Sequence, residues 1–308
     1  MLYELIFPLG LLAAAQVGAY VVPRFGWEKM FLISGIPGIL ITFLILRLSE
    51  SPRWLIGKER FDKAEEVIER IEAATTRRNL DPERDMAEIE RRNADLYKGL
   101  QHKSKSSIKE LFSPFYRGRT IVVWLLWASS YFVANGINNW LPSLYNTVYH
   151  LPLQLSLRLA SISNVFSTCA VLVCALLIDR TGRRNWAIGS FLACGTLLAV
   201  LGVLGARNPW SVVALASSAY AVMGSTTVML YLYTPEIYPT RMRAIGTGLA
   251  TSWLRAASAT APVIVGMVLG WHGIAWVFLM FAGVNLVGLL AATRMTETTN
   301  RVLEEISP

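Results

Sequence analysis

Long apolar stretches separated by short charged turns dominate the chain, and eight of them, over about residues 2–22, 28–48, 119–142, 156–178, 186–206, 210–233, 244–270 and 273–293, are long enough to cross a hydrocarbon core of about 30 Å. In lipid every backbone amide needs a partner within the protein, so spanning segments are helices or strands of a closed barrel. No stretch shows the in–out alternation of a barrel strand. The pattern therefore predicts an all-α polytopic membrane bundle of eight transmembrane helices.

The segment from 51 to 118 breaks this pattern. Phe61, Ala64, Ile68 and Ile71 fall three, four and three apart, and Glu66 can pair with Arg70 four residues on, which predicts a short amphipathic helix. Asp81-Pro82 provides a cap and a first-turn proline for a second helix to about Tyr97. Ser107 with Glu110 forms a possible capping box for a third. The expected layout is two spans in 1–50, a charged helical linker over 51–118, six spans over 119–295 and a tail over 296–308. Solvated helices covering the ends of the spans and a partner site are both readings of the linker.

Several spans carry polar faces. Thr247, Thr251, Arg255 and Ser258 advance by four, four and three residues and so share one face of a helix. An arginine at the middle of a span costs about 2.5–3.5 kcal/mol on insertion scales and normally faces a protein interior or a watery cavity. Tyr131, Asn135 and Asn138 share a face of the first span after the linker, with Asn139 and Trp140 beside them. Interhelical hydrogen bonding and contact with a bound molecule both account for these asparagines. Ser217, Tyr220, Gly224, Thr227 and Tyr231 form a further stripe. Its small residues, like Gly266 and Gly270, would let helices approach closely. Apart from Glu28, which opens the second span, Glu4 is the one acid within a span.

Composition sharpens this picture. With 308 residues, 54% hydrophobic and 16% charged, the chain is too apolar for an ordinary soluble enzyme. Of its 29 Lys and Arg, 16 lie between Glu50 and Arg119 beside 14 of the 21 acids, so the +8 net charge is not a nucleic-acid footprint. The short-loop basic residues favour one side, which carries Arg180, Arg183 and Arg184, then Arg241 and Arg243, then Arg294 and Arg301, while the other carries only Arg24, Lys29, Arg158 and Arg207. The positive-inside rule makes that side, with the C-terminus, cytoplasmic. Cys169, Cys174 and Cys194 lack metal-ligand spacing and read as small core residues. No metal or cofactor site is expected, and no nucleophile paired with a base appears. The first apolar stretch lacks the basic leader of a cleavable signal.

Four motifs occur in order: ESPRWL at 50–55, NGINNWLPSLY at 135–145, DRTGRR at 179–184 and PEIYPTRMRAIGTG at 235–248. Together they resemble the major facilitator superfamily, nearest to the branch of sugar porters, organic ion transporters and aromatic-acid or niacin proton symporters. On that family's twelve-helix plan the spans correspond to helices five to twelve, which implies a chain truncated at its N-terminus. The resemblance implies a multi-pass protein of the plasma (inner) membrane that moves a small solute by alternating access. It gives Asp179, Arg180, Gly182, Arg183 and Arg184, with Glu236, Arg241, Glu50 and Arg53, roles in gating. A basic residue at the place of Arg255 goes with anionic substrates in this branch. The expected substrate is a small organic anion such as nicotinate or a benzoate, contacted by Arg255, Asn135, Asn138, Asn139, Tyr131, Trp140, Tyr220, Tyr231 and Thr251. Arg255 could instead pair with an acid of the missing helices. Protons are the expected coupling ion, with Glu4 either the proton site or an edge partner of arginines. A sugar or other neutral-solute porter and a non-transporting membrane scaffold are the alternatives.

Overall fold

The computed structural model describes residues 5–52, 55, 60–75 and 108–299. Described residues form helices and turns, and no strand is found among them. Eight of the helices are long and apolar enough to cross a membrane. They are α1 (Ile6–Phe25), α2 (Trp27–Ile45), α4 (Arg117–Thr147), α5 (Leu153–Thr181), α6 (Arg183–Val203), α7 (Pro209–Glu236), α8 (Thr240–His272) and α9 (Ile274–Ala292). The remaining α-helix, α3 (Phe61–Thr75), and a short 3-10 helix over Ile108–Phe112 belong to the charged segment.

The chain divides into two compact units, Trp27–Lys105 and the remainder. In the first, Ala64 and Val67 of α3 pack with Leu55, while Phe61, Ile68 and Ile71 stay exposed. The buried stripe is thus rotated from the one predicted and keeps only Ala64 of its four positions. Glu66 pairs with Arg70 at 3.0 Å as expected. The helix predicted from Asp81, and Ser107 of the capping box, lie outside the described residues.

The larger unit is a bundle of α1 and α4–α9. Its closest helix pairs are α6 with α9, α5 with α7 and α4 with α8. The α6–α9 pair meets along glycines. A methyl group on Gly195 would touch Asn285, one on Gly202 would press on Leu279, and one on Gly288 would overlap the Phe191 ring. Without a hydrophobic driving force between helices in lipid, such close approach is what gains contact energy. Gly270 has nothing within 4 Å of where a Cβ would stand, whereas a Cβ on Gly266 would meet the Trp140 ring at 3.4 Å, so of that pair only Gly266 is at a helix contact. Because Phe191 is buried, Gly288→Ala is expected to destabilise by about 1–3 kcal/mol through overpacking. Gly189→Ala on α6, where a Cβ meets nothing, is the matched control in a detergent melting assay and should be neutral or slightly stabilising.

Four spans, α4, α5, α7 and α8, run beyond the lengths predicted from apolar content. α4 continues past Pro142 to Thr147 and α8 begins at Thr240, since helical geometry persists into the polar margins and neighbouring helices tolerate an internal proline. Gly182 and Gly273 are the single residues between α5 and α6 and between α8 and α9, with φ of 85° and 83°. Only glycine adopts that region without strain, which allows each pair of helices to reverse within one residue. Cys174 and Cys194 are buried as predicted, but Cys169 is exposed on the bundle's outer surface. That outer surface is apolar, with Leu176 at 68% and Val203 at 80% exposure, as a lipid-facing surface requires.

Candidate functional site

Among the polar faces, α4, α5, α7 and α8 converge with the start of α1 on a cavity of about 360 Å³. Tyr131, Asn135 and Asn138 enter it from α4, Tyr220, Gly224, Thr227 and Tyr231 from α7, and Arg255 from α8. The four-and-three spacing of the α4 and α7 stripes is the reason, since it turns one polar face of each helix inward, whereas Arg255 is the one member of the α8 stripe among the lining residues.

The tyrosines stand on a rigid base. Trp127 is fully buried and donates its indole N–H to Thr234 Oγ1 at 2.9 Å. Its ring lies 4.7 Å from that of Tyr231 in an edge-on arrangement and 5.6 Å from that of Tyr131. The two tyrosine hydroxyls are 3.5 Å apart. On the facing side, Ser167 Oγ would stand 2.6 Å from a Cβ on Gly224, so the glycine is what lets α5 and α7 close there. Ser163 and Ser217, one turn or more away along the same helices, share a hydrogen bond of 2.8 Å.

Asn135 donates to the Tyr131 carbonyl at 3.2 Å, which leaves its amide oxygen for other partners. Arg255 is exposed within the unit and makes no ion pair with any described residue. The cavity thus sets a guanidinium beside two amides and three phenols, and a guanidinium offers the planar fork that matches a carboxylate. The structure does not bring Asn139, Trp140 or Thr251 to this cavity. Asn139 is exposed, one residue and hence about 100° round the helix from Asn138. The Trp140 ring lies beside Gly266. Thr251 donates to the carbonyls of Thr247 and Gly248, the back-bonding that hydroxyls commonly adopt within helices. Glu4 lies outside the described residues.

A second polar cluster sits at the arginine-rich end of the bundle. Arg183 at the start of α6 pairs with Asp179 at 3.0 Å and with Glu236, at the end of α7, at 3.4 Å. Glu236 also accepts from the Thr298 hydroxyl at 2.5 Å. Glu297, in the turn after α9, accepts the backbone N–H groups of Arg183 and Arg184 at 2.9 and 3.1 Å, so its carboxylate caps α6 where the helix dipole favours negative charge. Arg184 donates to the Thr293 carbonyl at 2.7 Å. Arg180 and Glu50 are exposed; Arg53 and the side chain of Arg241 lie outside what is described. Glu297 is the member that sequence reasoning missed. Its only signal in the sequence is an acid just after the final span, at the arginine-rich end.

Partial burial raises the Glu297 carboxyl pKa, but the Thr299 hydroxyl and the Arg183, Thr299 and Arg184 amides lower it further, and the net value falls below the ordinary 4.5. A carboxyl so depressed contributes stability at all pH above its unfolded value, and loses it as pH falls through the folded value. The melting temperature is therefore expected to drop between pH 5 and lower pH by more in the wild type than in Glu297→Gln. Parallel melting curves would remove this role from Glu297.

The family described as "Sugar (and other) transporter" matches residues 1–308. Over 314 residues the chain is 31% identical to the niacin transporter NiaP of Acinetobacter baylyi, covering 99% of this chain and 67% of the relative. It is 24% identical to the organic cation/carnitine transporter 7 of Arabidopsis thaliana, again over 99% of this chain and 67% of that one. Among solved structures, the proton:xylose symporter XylE superposes with a TM-score of 0.73 at 20% identity, covering 98% of this chain and 65% of that one. Inward-open XylE from E. coli superposes with a TM-score of 0.66. The chain thus spans about two-thirds of the length of these proteins.

Proposed function

The chain belongs to the sugar (and other) transporter family of the major facilitator superfamily, and on that premise we propose that it serves the secondary transport of a small aromatic monocarboxylate such as nicotinate or benzoate. As a member of that family it is a multi-pass membrane transporter and not an enzyme. The observation that carries the substrate reading is Arg255, which reaches the cavity together with Asn138 and the tyrosine pair. The guanidinium takes the carboxylate as a two-pronged pair, and the Tyr131 and Tyr231 rings, held by Trp127, offer faces to an aromatic ring. A cavity of about 360 Å³ is at the small end of the roughly 300–1,000 Å³ seen for ligand sites, which suits a single ring. The niacin transporter among the relatives supports the same substrate class.

In this reading the arginine-rich end faces the cytoplasm of the plasma membrane. The cluster of Arg183, Asp179, Glu236 and Glu297 then acts as a latch that ties α6, α7 and the segment after α9 together while the site faces outward. Uptake is coupled to protons, with Glu4 as the proposed proton site. The division into a two-span N-terminal part, the linker over 51–118 and a six-span C-terminal half belongs to the same proposal.

The test is uptake of radiolabelled nicotinate and benzoate into proteoliposomes under an inward proton gradient. Equilibrium binding to the purified chain is measured in parallel, which separates a site that binds without translocating from one that does not bind. Saturable binding of a carboxylate and gradient-driven uptake support the reading. Saturable binding of a sugar with neither carboxylate bound replaces it with a neutral-solute porter, and binding of neither class leaves a scaffold role.

A further inference from the structure

Away from the central cavity, the N-terminal end of α4 and the C-terminal end of α9 enclose a lateral groove of about 710 Å³. Arg117, Arg119 and Arg294 line its mouth, and Ile121, Leu125 and Leu290 are among the residues of its floor. Among the described residues no acidic one lines it. We propose that this groove is a binding site for an anionic phospholipid, whose phosphate sits among Arg117, Arg119 and Arg294 while an acyl chain lies along the floor.

The argument rests on how charge and apolar surface are ordered along the helices. All three arginines lie at one end of the bundle, where α4 begins and just beyond the last residue of α9. The floor side chains then follow in the direction of the membrane interior, with Ile121 at 44%, Leu125 at 40% and Leu290 at 60% exposure. From Arg117 to Leu125 the helix rises about 12 Å, from headgroup level well into the acyl region. This order, cationic at the interface and apolar below it, is that of a lipid and not of a soluble anion. Arg119 is held at the mouth by its contact with the Phe115 ring, 4.4 Å from the guanidinium, and guanidinium groups suit the geometry of phosphate oxygens. Basic pockets between spanning helices are a recurrent means of holding anionic headgroups. The central cavity plays no part in this site, so it stands independently of the substrate reading.

The experiment is native mass spectrometry of the full chain in detergent, titrated with phosphatidylglycerol and, separately, with phosphatidylcholine. The expected result is one phosphatidylglycerol bound more tightly than any phosphatidylcholine. Combined Arg117→Gln, Arg119→Gln and Arg294→Gln should weaken that first lipid on the order of tenfold or more, while Arg207→Gln at the opposite end leaves it unchanged. The pair Leu125→Trp and Leu290→Trp keeps the charges and fills the floor; it should also lose the tight lipid, and it decides the matter should the triple variant not fold. Equal affinity for the two lipids, meaning annular contact only, overturns the proposal, as does wild-type affinity in either multiple variant.

Discussion

Arg255→Ala is expected to abolish measurable uptake of an aromatic carboxylate, or to raise its half-saturating concentration on the order of 10–100-fold. That range follows from the roughly 1.5–3 kcal/mol carried by a hydrogen bond to a charged group and from the tenfold change in affinity per 1.4 kcal/mol. Removal of the guanidinium leaves the amides and the phenols, whose neutral hydrogen bonds are weaker than charge-assisted ones. Arg255→Lys should fall between the two, because an ammonium keeps the charge but not the planar fork. Saturable uptake or binding of nicotinate and benzoate, measured in proteoliposomes and with the purified protein, provides the test. Wild-type uptake by Arg255→Ala would remove the anion assignment, since no other basic side chain lines the cavity among the described residues. Arg255 would then be a partner for an acid, and the polar stripes of α4 and α7 would be reconsidered as a sugar site.

What could be read from the residues alone follows from how local each signal is. The spans were legible because each is a run of apolar residues on a single stretch of chain, and backbone satisfaction in lipid leaves a helix as its only form here. The faces of α4 and α7 were legible for a similar reason, because Asn135 and Asn138, or Tyr220, Gly224, Thr227 and Tyr231, are related by helical period alone. Asn139 and Thr251 show the limit of that reasoning. Asn139 is adjacent to a cavity residue in sequence but not on the helix surface, and Thr251 satisfies its hydroxyl on its own helix. Contacts between distant segments carried no local signal. Trp127 matters through Thr234, 107 residues away, and Glu297 through the amides of Arg183 and Arg184, 114 and 113 residues away. The glycines of α6 and α9 became a seam only when the two helices were seen to pair.

Gly182→Ala is expected to cause the largest loss of stability of any single-methyl change at the arginine-rich end. Two effects combine there. With φ of 85° and ψ of 153°, the residue occupies a region that side chains reach only at a cost of about 1–3 kcal/mol. The added Cβ would also stand 2.7 Å from Glu297 Oε2, forcing the carboxylate off the amides that it caps. Melting of the purified protein should show a fall of several degrees. A double-mutant cycle with Glu297→Ala separates the two effects, because the backbone part persists when the carboxylate is gone and the steric part does not. A coupling of about 0.5–3 kcal/mol between the two positions is the range for residues in direct contact. Additive losses would mean that α6 is held by its own backbone geometry and that Glu297 merely rests against it. A clear coupling would mean that the one-residue reversal at Gly182 exists to present two amides to that carboxylate, so that the turn and the latch are one device. In that case Gly182→Ala should also shift the balance of outward- and inward-facing states, which accessibility labelling of a cysteine introduced at Asn138 would report.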